Sequence, residues 1–82
     1  MEREIGRVTH YFSHLNVAAL DLSEPISLGD TIHFKGHTTD FTQTVEHLQI
    51  EHKDVQEAVP GDDVALQVRE HVREHDRVYK LA

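Results

Sequence analysis

The 82-residue chain has no cysteine and no tryptophan, one methionine, two prolines and four glycines. Without cysteine there are no disulfides and no thiolate chemistry, which leaves the compartment open, with cytosol as the default expectation. Few glycines and prolines, with 28% charged residues, argue against wholesale disorder. Long apolar runs are also missing. The longest is Val17–Leu20, and the start "MEREIGRV" has no apolar signal core, so neither membrane spanning nor a signal peptide is expected. Positive charge is scarce. Eight Lys/Arg face fifteen Asp/Glu, a formal net charge of −7, which argues against nonspecific nucleic-acid binding.

Histidine is abundant by contrast. Full protonation of the eight histidines would carry the charge from −7 to +1, so the surface field depends steeply on pH near neutrality. Acidity is concentrated in residues 1–68, with four Lys/Arg against twelve Asp/Glu; residues 69–82 hold four against three.

The length allows one domain over residues 1–82. Ile5, Val8 and Tyr11 lie in a first strand and "HLNVAALDL" reads as a second. "TIHFK" alternates cleanly, with Ile32 and Phe34 on one face. In "FTQTVEHLQI" the apolar parity switches between Val45 and Leu48, which predicts a bulge or sharp bend. "KDVQEA" suits one helical turn near Asp54–Ala58, and "VPGDD" and "SEPISLGD" are turn material. Val64, Leu66 and Val68 alternate as an inner strand; Val64, Val68 and Val72 also fit a helix. "DRVYKL", residues 76–81, closes the chain as a last strand, and no internal repeat is evident. These elements predict an all-β fold, a small closed barrel of six to seven strands.

"GRV" (Gly6–Val8), "LGDTIHFKG" (Leu28–Gly36), "EAVPGDDVALQV" (Glu57–Val68) and "REHDRVYK" (Arg73–Lys80) together resemble the second, β-barrel domain of translational GTPases such as elongation factor Tu. The resemblance implies a barrel of the translation-protein type, makes Val64–Val68 a strand, and implies contact with transfer RNA or ribosomal RNA. The chain contains no P-loop, so no GTP binding is implied. Similar barrels also end some collagenase-like peptidases, and neither resemblance fixes a function.

Four histidines, His33, His37, His47 and His52, crowd one stretch, but no pair has the two-residue spacing that aims strand side chains alike, so they read as solvated imidazoles. His71 and His75 would pair on a metal only in a helix. Ser13-His14 and Ser23-Glu24 lack a nucleophile elbow, so no catalytic residue, metal or cofactor is assigned and an enzyme is not expected. Tyr11 and Phe12 are adjacent and cannot both face the core. Arg7, His10, Tyr11, Phe12 and His14 therefore form the expected contact surface of a non-catalytic interaction module. A protein partner is the first expectation and RNA the alternative.

Overall fold

A computed structural model of the protein describes residues 2–81. Ten strands follow in chain order: β1 (Glu2–Phe12), β2 (Val17–Leu22), β3 (Ile26–Ser27), β4 (Thr31–Lys35), β5 (Asp40–Thr44), β6 (Leu48–Ile50), β7 (Lys53–Asp54), β8 (Glu57–Ala58), β9 (Val64–Gln67) and β10 (Arg77–Leu81). The described residues form no helix. The helical turn expected near Asp54–Ala58 is replaced by β7, a bend and β8. Tertiary pairing of Ile26 with Ala58 and Ser27 with Glu57 overrides the local helix preference of that segment.

Eight strands make one antiparallel sheet in the order β5-β4-β10-β1-β2-β9-β6-β7; β3 and β8 make a separate two-stranded sheet. The ladder ends at β5 and β7, and no ladder joins them among the described residues. The Gln43 carboxamide of β5 reaches instead to the end of β9. Its Nε2 donates to the Gln67 carbonyl at 2.8 Å, and its Oε1 accepts from the Arg69 amide at 2.8 Å.

The core sits on the inner face of the curved sheet. Ile5, Val8, Ile32, Phe34, Val72 and Val78 are fully buried, and the Phe34 and Phe41 rings stack 5.0 Å apart. Ile5 and Val8 lie three residues apart, yet both face inward. A register shift against β10 between Glu4 and Gly6 reconciles them, and a second shift against β2 between Val8 and His10 keeps Tyr11 on the inner side. Gly6 leaves little room for a side chain: a Cβ there would run into the Asp21 carbonyl oxygen. The parity switch at Val45–Leu48 is the break between β5 and β6, with both residues buried. Val64–Gln67 is a strand, and residues 69–76 form the connection, anchored by buried Val72 and Asp76.

One turn recurs three times. In Ser27–Asp30, Val59–Asp62 and Arg73–Asp76 the amide of the aspartate donates to the carbonyl three residues earlier, and its carboxylate accepts from that same residue's amide. The third position is left-handed each time, with φ of 91° at Gly29, 98° at Gly61 and 77° at His75. This is type II turn geometry with an aspartate clasp, and only the third copy lacks the glycine that geometry favours.

Candidate functional site

The first strand divides the expected contact residues between two faces. Tyr11 pairs with Ala18 and packs against the core, its hydroxyl 3.3 Å from Asn16 Oδ1 and its ring 4.5 Å from that of His71. His10 and Phe12 face outward, their rings edge to face at 4.4 Å. His10 Nδ1 lies 3.4 Å from Glu74 Oε2. Phe12 is 43% exposed and Leu15, in the following turn, 65%. Arg7 is exposed on β1 opposite Asp21, and His14 is exposed in the turn. The five residues are thus not one cluster. His10 and Phe12 share a surface, while Tyr11 seals the end of the core behind it.

Phe12 borders a trough on the outer face. Its floor is a cross-strand row in which Ala19 of β2 pairs with Ala65 of β9, and Ala65 with Gln49 of β6. Two depressions of about 320 and 410 Å³ share Gln49 and Ala65; Leu15 and His47 line one end, Glu51 and Asp63 the other. Beside it, Glu51 and His52 connect β6 to β7 in a two-residue turn with φ of 51° and 66°. Both lie in the left-handed region favoured by asparagine and glycine.

A second cluster involves His33, expected as a solvated imidazole. Its side chain is only 13% exposed; Nδ1 lies 2.5 Å from Glu2 Oε2 and Nε2 2.5 Å from Asp40 Oδ1. A neutral imidazole carries one N–H, so donating to both carboxylates requires the imidazolium. The hydrogen bond to Asp40 first, then that to Glu2 and the attraction of both carboxylates, raise the His33 pKa above its ordinary value; burial opposes them. With both nitrogens engaged, His33 has none left to serve as a base toward a nucleophile. It clasps β1, β4 and β5 together. Sequence reasoning missed it because Glu2 and Asp40 lie 31 and 7 residues away and no spacing rule joins them. His37, His47 and His52 are exposed. No group of three or more His, Cys, Asp or Glu placed to hold a metal occurs among the described residues.

The basic side chains of residues 69–82 lie among acidic and polar partners. Arg77 meets Glu4 at 2.9 Å, Lys80 meets Asp30 at 3.3 Å, and Arg73 Nε donates to Thr38 Oγ1 at 3.0 Å. No helix among the described residues is long and apolar enough to cross a membrane.

No family model matches the chain. It is 42% identical over 79 residues to an uncharacterized protease of Methanocaldococcus jannaschii, covering 95% of this chain and 19% of that protein. It is 35% identical over 79 residues to a collagenase of Porphyromonas gingivalis, covering 94% and 22%. The chain thus spans about a fifth of the length of the curated relatives it matches. Among solved structures, the C-terminal domain of a candidate U32 peptidase of Geobacillus thermoleovorans superposes with a TM-score of 0.88 at 22% identity, over 95% of this chain and 91% of that one. Its selenomethionine variant gives 0.87 at 22% identity, over 93% and 96%. These findings overturn the translational-GTPase resemblance and, with it, the expectation of an elongation-factor-like interaction or RNA-binding module. They overturn equally the expectation of a non-catalytic module that is not an enzyme, since the relatives are named protease and collagenase. The misleading motif has a physical explanation: "EAVPGDDVALQV" encodes an aspartate-clasped turn between two strands, which reports a local shape rather than a lineage. Over nearly its whole length the chain matches a minor part of proteins named as peptidases, and it shares the fold of an isolated peptidase C-terminal domain.

Proposed function

We propose that residues 1–82 form one β-domain that serves a peptidase of the U32 type, engaging the polypeptide on which that peptidase acts. The observation that carries this reading is the match over 95% of the chain to a segment making up only 19% of a protease. A segment preserved at 42% identity inside a much larger enzyme is a module of that enzyme. The partner is a protein chain, met on the side that carries Arg7, His10, Phe12 and His14, with Tyr11 as the support beneath. Closure of the sheet into a barrel belongs to the same proposal. Gln43 supports it by tying β5, one end of the ladder, to the carbonyl that ends β9 and the amide just beyond it.

The test replaces the matching segment of the Porphyromonas gingivalis collagenase with this chain and measures collagen cleavage. The chimera is expected to keep activity within about threefold, and deletion of the segment to lower it about tenfold or more. A folded chimera no more active than the deletion refutes the reading, as does a deletion that costs nothing.

A further inference from the structure

The trough over β2, β9 and β6 has a shape and a charge that the fold does not require. A cross-strand row of Ala19, Ala65 and Gln49 leaves the centre of an outer sheet face low, where strands usually present larger side chains. Phe12 on β1 rises on one side, and the row ends at Gln49 on β6, ~14 Å away across three strand spacings. An extended polypeptide occupies about 10 Å across its side chains and fits lengthwise within that width. The apolar walls are open to water: Phe12 is 43% and Leu15 65% exposed. The charge is one-sided. Glu51 and Asp63 line the trough, Asp54 holds the Gln49 amide at its rim at 3.0 Å, and no lysine or arginine lines it among the described residues. The other ionisable groups of the lining are histidines, His47 and His52, with His10 beside Phe12.

We infer that this trough seats an extended, cationic stretch of polypeptide. Aliphatic parts of the ligand would cover Phe12 and Leu15, and its ammonium or guanidinium groups would meet Glu51 and Asp63. The inference rests on the proposal that the domain engages polypeptide, and adds the surface and the chemical class of segment it takes.

Fluorescence anisotropy with a labelled glycine–lysine repeat peptide tests it, with glycine–glutamate and glycine–serine repeats as counterparts, at about pH 7.5 and two salt concentrations spanning the Debye range. The lysine peptide is expected to bind in a salt-sensitive manner. Ala65→Arg, which fills and recharges the floor, and Phe12→Ser should each weaken it about tenfold. Glu51→Gln, which changes neither volume nor backbone demand, should weaken it about threefold while Glu70→Gln, outside the trough, leaves it unchanged. Glu51→Gln keeps the test decisive should Ala65→Arg fail to fold. Equal loss in Glu51→Gln and Glu70→Gln overturns the inference, because it indicates net charge alone. Equal binding of the three peptides, or absence of binding by the lysine peptide, overturns it too. A dimer in sedimentation that Ala65→Arg dissociates assigns the trough to a second copy and likewise overturns it. If the collagenase chimera is active while the lysine peptide ignores the trough, this assignment fails and the peptidase reading stands; an inactive chimera removes the reading itself.

Discussion

Raising the pH should loosen this domain through His33, and the effect can be isolated. The imidazolium lies between Asp40 and Glu2, and its folded pKa is raised above the ordinary histidine value of 6.5. A raised folded value means the contribution is fully present below 6.5 and is lost as pH climbs through the folded value. The size follows from exposure. His33 is 13% exposed, but Glu2 is 35% and Asp40 73% exposed, so both contacts are screened by water. Exposed ion pairs contribute about 0.2–1 kcal/mol each, which puts the pair of contacts at about 1 kcal/mol. For a domain of this size that corresponds to about 4–8 °C in Tm. Thermal melts of the protein and of His33→Gln at about pH 5.5 and about pH 8.5 measure it, and their difference cancels the other ionisations. The protein should lose about 4–8 °C more than the variant on going to the higher pH. Asp40→Asn should remove the larger part of that excess, because the Asp40 hydrogen bond is the leading cause of the raised pKa. Profiles that run parallel within about 1 °C would show that the clasp does not hold a charged imidazole in solution.

Other expectations concern the backbone. His75→Gly should stabilise the fold by about 0.5–1 kcal/mol, since it restores the glycine found in the two sister turns, and urea titration reads the shift. Replacing Glu51-His52 by Asn-Gly should stabilise by about 1–2 kcal/mol on the same grounds; no gain in the urea midpoint would mean the turn is not left-handed at both positions. Gln43→Leu should cost about 1–3 kcal/mol, because the Gln67 carbonyl and the Arg69 amide lose their partner at a half-buried seam; amide hydrogen exchange at Arg69 should quicken. Gly6→Ala should cost about 1–3 kcal/mol in the same titration, because backbone rather than a flexible side chain meets the new methyl.

Much of the wall was legible where alternation is clean. "TIHFK" buries Ile32 and Phe34 as its pattern requires, and the break at Val45–Leu48 showed as a parity switch. Ile5, Val8 and Tyr11 stood out as apolar at intervals of three, a spacing that suits a helix face and fits a strand only once two bulges are allowed for. The short strands β7 and β8 were not legible, because a two-residue strand is defined by its partner across the chain and not by its own composition. Two of the three clasped turns carried Gly-Asp and could be read; His75 concealed the third. For the candidate surface, alternation alone separated Phe12 from Tyr11. The trough needed the register that sets Ala19 beside Ala65 and Ala65 beside Gln49, which no local pattern contains. His33 failed for the same reason, since its partners come from other strands.

The place of β10 in the ladder governs how the domain assembles in time. This strand, the last in the chain, lies in the interior of the sheet, with β4 on one side and β1 on the other. Until residues 77–81 have left the ribosome, β5-β4 and the block from β1 to β7 are two fragments with unpaired inner borders. Completing this sheet therefore waits for residues 77–81, and the pairing it makes joins residues as distant as Glu2 and Leu81. Such non-local closure belongs to the millisecond-to-second regime of β proteins. A nascent or truncated chain lacking β10 would expose two sheet borders together, a hazard for aggregation that the finished domain does not share.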